Sequence, residues 1–107
     1  EQVQEVHINP SIPLIAGVKN GNMLLIQFEL IAKNTCSPGH SQVEIYNSVT
    51  PADNLLELEV HGQYAEISCR DTLSMEIKWT ILNCGKTETE ILDQLNNFRF
   101  QFSTEGP

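Results

Sequence analysis

Signatures of catalysis and of cofactor binding are missing from this sequence. It contains no G-x-S-x-G nucleophile turn, no C-x-x-C pair and no D-x-D-x-D-G calcium loop. Three cysteines and three histidines supply candidate thiols and bases, but no family-specific cysteine signature surrounds them. We therefore expect a domain that is not an enzyme and needs no cofactor.

Basic residues are also scarce. Six Lys and Arg stand against fourteen Asp and Glu, for a formal net charge of −8 at pH 7, and the basic residues are scattered. Proteins that bind a phosphate backbone cluster their basic residues, so nucleic acid and anionic membranes are disfavoured as partners. No apolar run is long enough to span a bilayer. A basic protein segment fits this charge, although a charge of this size also serves solubility by itself.

Cysteine is rare and odd in number, with Cys36, Cys69 and Cys84. Small secreted domains use dense, even cysteine frameworks. The N-terminal residues show no signal peptide, and no Asn-x-Ser/Thr site is open to glycosylation. These features favour an intracellular, reducing compartment (cytoplasm or nucleus). A secreted domain with one disulfide is the alternative.

A zinc site would need three or four Cys and His ligands at suitable spacing. Cys36 and His40 are four residues apart on a Pro-Gly loop, and further ligands would have to come from distant positions such as His61 or Cys84. We predict a surface loop here and no metal ion. Cys69 alternates with apolar residues, so we expect a buried thiol that behaves as a small hydrophobic residue.

Alternation of apolar and polar residues dominates what the sequence does contain, and it predicts β-strands. The longest examples are MLLIQFELIAK at 23–33, NLLELEVHG at 54–62 and LSMEIKWTIL at 73–82. Trp79 shares the parity of the other large apolar residues of its strand, so we predict that it is buried and that Cys84 is nearer the surface. Shorter strands are expected near 3–8, 13–18, 42–47, 63–69 and 98–102.

Turn and capping residues punctuate these strands. Asn20-Gly21 predicts a tight hairpin. Thr87 and Glu90 form a capping box, which predicts a short helix near 88–96. The stretch 50–53, TPAD, fits either a helix N-terminus or a type I turn, and residues 103–107 are expected to fray.

The pattern predicts a single all-β domain over residues 1–107, part of a larger protein. Its architecture is expected to be an antiparallel β-sandwich of about seven or eight strands with a short helix near 88–96. A true immunoglobulin domain would have a second Cys on a strand well after the Trp, with a Tyr two residues before it. Only Cys84 follows Trp79, and both tyrosines precede it. We therefore predict an immunoglobulin-like sandwich in the broad sense, without the disulfide.

The second face of the 23–33 strand is one candidate binding surface. Met23, Leu25 and Ile31 lie there, on the opposite side from the residues assigned to the core. Two arrangements fit these residues. Either they form an exposed hydrophobic patch of the kind found at interfaces, or the helix near 88–96 covers them.

An acidic strip is the other candidate surface. Glu57 and Glu59 face outward, and Glu66 joins them if 55–61 and 63–69 pair as a hairpin. Such a strip would dock a cation or a basic peptide. A solvated face that discourages edge pairing explains the same residues.

These surfaces and the missing site chemistry predict a protein-interaction or scaffold module that acts through a strand edge or a sheet face. The partner would be another protein, as a basic or extended peptide, bound through Met23, Leu25, Ile31, Glu57 and Glu59. The alternative is a secreted or surface-exposed recognition domain of the carbohydrate-binding or adhesin type. That alternative predicts a disulfide at Cys69 or Cys84.

Overall fold

A computed structural model describes residues 2–49 and 54–105 of the chain. Within these residues it has six strands, a short 3₁₀ turn at Lys33–Thr35 and one α-helix. The predicted β-rich fold with a helix near the C-terminus is confirmed, although the described residues hold six strands and not seven or eight. The elements are β1 Gln2–Ile8, β2 Leu14–Lys19, β3 Asn22–Gln27, β4 Val43–Val49, β5 Asn54–Val60, β6 Lys78–Asn83 and α1 Glu88–Glu105.

The strands form two antiparallel sheets of three strands each. Sheet A has the order β1-β4-β5, and sheet B has the order β2-β3-β6. The β2–β3 hairpin turns at Asn20 and Gly21, whose φ angles are 54° and 79°. A two-residue hairpin turn that matches the right-handed strand twist needs positive φ at both positions, which Asn-Gly tolerates well. The predicted hairpin is therefore confirmed.

Helix α1 covers one face of sheet B. Met23 and Leu25 on β3 are 1% and 0% exposed, and they pack in a cluster with Leu14 and Cys84. The helix contributes three side chains at helical spacing, Ile91, Leu95 and Phe98. Of the two alternatives for this strand face, the covered one is therefore what the structure shows.

The other face of sheet B meets sheet A. Ile26, Phe28 and Val43 form the second buried cluster, with half-buried apolar residues of both sheets around it. The two sheets approach closely at Gly17, where an added Cβ would lie 2.7 Å from Cδ1 of Leu58. Leu58 occupies the space that any larger residue at position 17 would need.

Strand β3 is shorter than predicted, because it ends at Gln27 and not near residue 33. Gln42, itself buried, explains the end: its side-chain amide donates to the carbonyl of Glu29 and accepts from the N–H of Ile31. A side chain thus satisfies backbone groups that a neighbouring strand would otherwise bind.

The predicted strand at 98–102 is wrong, since α1 continues through it to Glu105. The predicted start near residue 88 is right. Alternation over five residues is too short to outweigh a capped helix whose apolar face already extends to Phe98. The fraying expected for 103–107 is also wrong for 103–105, which are helical. The possible helix start at 50–53 and residues 106–107 lie outside the described residues.

The stretch 61–77 departs most from expectation, because neither the 63–69 strand nor the first part of the 73–82 strand forms. Trp79 is 62% exposed and Cys69 is exposed, whereas Cys84 is only 2% exposed, so all three burial predictions are wrong. The apolar side chains of this alternation are exposed and not covered by a second layer within the described residues. No described helix has both the length and the hydropathy needed to cross a bilayer.

Candidate functional site

The three histidines of the chain meet on the outer face of sheet A, which points away from sheet B. On the central strand, Glu44 is directly opposite His7 on β1 and directly opposite Glu59 on β5. Residues paired in this way share one face of an antiparallel sheet. His40 precedes β4 in the chain, and His61 follows β5. The backbone N–H of His61 donates to the carbonyl of Gln42, which anchors it beside the start of β4.

One carboxylate oxygen, Oε2 of Glu44, is the centre of the cluster. Nδ1 of His40 lies 2.7 Å from it, Nδ1 of His7 lies 3.7 Å away, and Nε2 of His61 also lies 3.7 Å away. Two further carboxylates flank the histidines. Nε2 of His7 is 3.3 Å from Oε1 of Glu5, and Nε2 of His61 is 3.5 Å from Oε1 of Glu59.

Glu44 is a buried acid, with only 5% of the residue exposed. The hydrogen bond from His40 is the main cause that holds the pKa of Glu44 below its ordinary value, while burial acts in the opposite direction. The backbone N–H of Ser41, 3.3 Å from Oε2, lowers the pKa further, as do the charges of His40 and His7 when they are protonated. Glu44 is therefore held as a carboxylate under the imidazoles.

His61 brings an unused donor atom to this cluster. Its Nε2 is shielded from solvent and has no hydrogen-bond partner among the described residues. The two nearest carboxylate oxygens, at 3.5 and 3.7 Å, are beyond hydrogen-bonding range. The ring of His61 lies 5.7 Å from that of His40, tilted by 43°.

The donor atoms of the cluster form two sets of metal-ligand type. In one set His40, Glu44 and His61 have ligand atoms within 4.8 Å of one another, and in the other set the same holds for Glu5, His7 and Glu44. Imidazole nitrogen and carboxylate oxygen are ligands of zinc and of similar transition metals. The arrangement is able to hold a cation or to share protons.

A second feature lies on the opposite face of sheet A, where β5 faces the strands of sheet B. An apolar cleft opens there between the two sheets. Leu56 and Leu58 of β5 form one wall, while Trp79 and Ile81 of β6 form the other. Ile81 is 71% exposed, which is unusual for a large aliphatic side chain that faces another sheet.

Comparison with known families identifies one match, and it covers residues 1–82 of the 107-residue chain. The family is described as a domain of unknown function, DUF4380. The chain belongs to the DUF4380 family. The matched segment includes β1 to β5, most of β6 and all residues of the histidine cluster. No curated protein and no solved structure is significantly similar to this DUF4380 chain.

The predicted binding residues of this DUF4380 domain are dispersed in the fold. Met23 and Leu25 lie in the core under α1, and a partner would reach them only if the helix moved away. Ile31 is half-buried at the rim of a groove between residues 27–31 and 73–78. Glu57 is exposed on β5, and Glu59 stands beside His61. The expected 55–61/63–69 hairpin is wrong, so Glu66 is not paired opposite them.

The sequence did not point to Glu44 as a site residue of this DUF4380 domain, and its three histidines suggested only bases or zinc ligands beside the cysteines. The sequence contained one signal, because His7 lies near the end of one strand and His61 directly after another, each on the outward-facing side of the alternation. The pairing of these strands through β4 could not be read from spacing, because antiparallel register joins positions that are far apart in sequence.

Proposed function

We propose that this chain is a non-enzymatic protein-interaction module that accepts an extended segment of another protein along the free edge of β5. The main observation in support is the open apolar cleft, which is lined by Leu56 and Leu58 of β5 and by Trp79 and Ile81 of β6. The partner segment is a β-strand in which apolar and basic residues alternate. It binds by adding one strand to sheet A.

The backbone of β5 supports this mode of binding. Within the described residues β5 pairs with β4 on one side and with no strand on the other. An edge strand presents unpaired N–H and C=O groups along its free side, which template the pairing of another chain. The main-chain hydrogen bonds supply affinity, and the side chains of alternate residues supply specificity.

The side chains of β5 define the chemistry of the partner. Glu57 and Glu59 are on the outer face, whereas Leu56 and Leu58 face the cleft. Opposite charges on directly opposed residues stabilise a sheet, so basic residues of the incoming strand stand opposite the glutamates. Its apolar residues, at the positions between, enter the cleft. A second copy of this chain fits poorly, because each copy carries a net charge of −8.

The cleft supplies the apolar part of the binding energy. Trp79 and Ile81 are 62% and 71% exposed, and exposed apolar patches of this kind mark interfaces. Burying such a side chain contributes about 1.5–3 kcal/mol before the entropy cost of ordering the partner. The incoming strand is the seventh of the assembly and completes an immunoglobulin-like sandwich in the broad sense. A reducing compartment is part of the proposal, in keeping with three free cysteines.

Trp79, the single tryptophan, is a built-in reporter of this binding. We expect a ten-residue peptide of alternating valine and lysine to shift the Trp79 emission to shorter wavelength, because the ring leaves water. A valine–glutamate peptide, which opposes Glu57 with like charge, should give no shift. Equal shifts with both peptides, or none with either, would overturn the proposal.

Variants locate the site. Ile81→Lys places a charge in the cleft and should weaken the valine–lysine peptide at least tenfold, which corresponds to about 1.4 kcal/mol. Glu57→Lys should weaken it several-fold and allow the valine–glutamate peptide to bind. Leu92→Lys and Asp93→Lys, both at exposed positions of α1, are the matched controls. Affinity that survives Ile81→Lys would exclude the cleft.

A further inference from the structure

The histidine cluster lies on the outer face of sheet A, away from the cleft, and of its surroundings the proposed interaction uses only the flanking Glu59. Its members come from four separate places in the chain, at positions 7, 40, 44 and 61. All three histidines of the sequence are among them, and all three approach the same oxygen of Glu44. Solubility alone does not require three imidazoles to lie around one buried carboxylate, so we expect this cluster to have a binding role.

Two distances between donor atoms bracket the spacing expected around a small divalent ion. Zinc binds nitrogen and oxygen at roughly 2.1 Å, so two donors of a tetrahedral site lie about 3.4 Å apart. The distances from Oε2 of Glu44 to Nδ1 of His40 and to Nε2 of His61 are 2.7 and 3.7 Å, on either side of that value. All three ligand atoms lie within 4.8 Å of one another, so one ion is within reach of all three after side-chain rotation.

We propose that His40, Glu44 and His61 bind a divalent transition-metal ion of the zinc class. Two imidazoles with one carboxylate form a donor set that zinc uses in proteins. Glu44 supplies the negative charge, and Nδ1 of His40, which donates a hydrogen bond to Glu44 without metal, must lose its proton to coordinate the ion. The side chains of His40 and His61 are partly exposed, which leaves the ion a path from solvent and a position for water or for another ligand.

The unused nitrogen of His61 is the reason to prefer a metal over a purely hydrogen-bonded cluster. A hydrogen-bonded cluster accounts for His40, which donates to Glu44 at 2.7 Å. It leaves Nε2 of His61 shielded from water without a hydrogen-bond partner among the described residues, with Glu59 and Glu44 no closer than 3.5 Å, which costs free energy. A metal ion on Nε2 removes that cost and brings both histidines to the same carboxylate.

His7 and Glu5 act as positioning residues. Nδ1 of His7 faces the metal-binding oxygen of Glu44, and Nε2 faces Glu5, so this pair orients the carboxylate from the side of β1, across β4 from His61. Outer partners of this type typically change metal affinity by 10- to 100-fold. Glu59, 3.5 Å from Nε2 of His61, stands where it orients that ring.

Titration with zinc chloride, followed by calorimetry, tests the site on the complete chain. We expect one ion per chain and a rise in the melting temperature with zinc concentration, since a ligand of the folded state stabilises it. Cobalt chloride should give visible absorption bands of a nitrogen and oxygen site, with no thiolate charge-transfer band. A Cys36→Ser, Cys69→Ser double variant should bind equally well. Loss of binding in that variant, or a thiolate band, would assign the metal to cysteine and overturn the proposal.

Single substitutions separate ligands from positioning residues. His40→Ala, His61→Ala and Glu44→Gln should each weaken zinc at least 100-fold, whereas His7→Ala should weaken it 10- to 100-fold. Glu57→Gln, two pairing rows away on β5, should leave affinity unchanged. If circular dichroism shows that His61→Ala is unfolded, His61→Asn takes its place, because this position is partly exposed. Zinc binding that is unaffected by both His61 variants, or a folded wild-type chain that binds no zinc, contradicts the proposal.

Discussion

Single residues show where alternation is informative and where it is not. Alternation correctly separated Met23 and Leu25 from Leu24 and Ile26, because successive side chains of a strand point to opposite faces. It could not say which faces are covered. Met23 and Leu25 are buried under a helix, whereas Trp79 remains exposed although it shares its strand with apolar neighbours. Burial depends on packing between elements, which the parity of one strand does not encode.

The cysteines provide a test at the residue scale. Cys69 is exposed, Cys36 is half-buried and Cys84 is buried under α1. We expect a thiol reagent to modify Cys69 rapidly in the folded chain and Cys84 only after unfolding, since access limits thiol reactivity. Three reactive thiols should be counted in denaturant. Fewer than three, or equal native rates for Cys69 and Cys84, would contradict this assignment and favour the secreted alternative.

The helix start is the element that the sequence predicts best. The hydroxyl of Thr87 accepts the N–H of Glu90 at 3.1 Å, and Oε1 of Glu90 accepts the N–H groups of Thr87 and Lys86 at the same distance. This capping box depends on residues three apart, so it is visible in sequence. The helix end is not, because the residues after Phe98 carry an alternation that fits a strand equally well.

Protonation of Glu90 should weaken this helix start. Hydrogen bonds from Thr87 and then from Lys86 lower the pKa of Glu90 in the folded chain below its ordinary value. A lowered folded pKa contributes stability that is present above the unfolded pKa and is lost as pH falls through the folded pKa. The stability difference between the wild type and Glu90→Gln should therefore be constant above about pH 5 and decline in more acid solution.

Chemical denaturation at a series of pH values measures that difference. Glu88→Gln, in the same first turn, is the control for the general effect of a negative charge near the helix N-terminus. A difference for Glu90→Gln that does not change with pH, or that matches Glu88→Gln throughout, would show that the carboxylate hydrogen bonds do not stabilise the helix start.

At the scale of the whole molecule, the described residues form sheet A, sheet B and helix α1, and the two proposed sites lie on opposite faces of sheet A. The six described strands, the hairpin and the acidic positions Glu57 and Glu59 could be predicted from local pattern, although the same pattern also predicted strands at 63–69 and 98–102 that do not form. The histidine cluster could not, because His7 and Glu44 are neighbours only through the β1–β4 register. The cleft could not be predicted either. The alternation that contains Trp79 and Ile81 is the same whether these side chains are exposed or buried in a closed core.

Hydrogen–deuterium exchange along β5 tests the central claim, which is that the free edge at Asn54–Val60 receives a partner strand. In the free chain, the amides of β5 that point away from β4 should exchange quickly, because they have no strand partner. Saturation with the valine–lysine peptide should slow those amides and leave α1 unchanged, while the valine–glutamate peptide should have no effect. Amides of β5 that exchange at the same rate with and without the valine–lysine peptide would contradict the account.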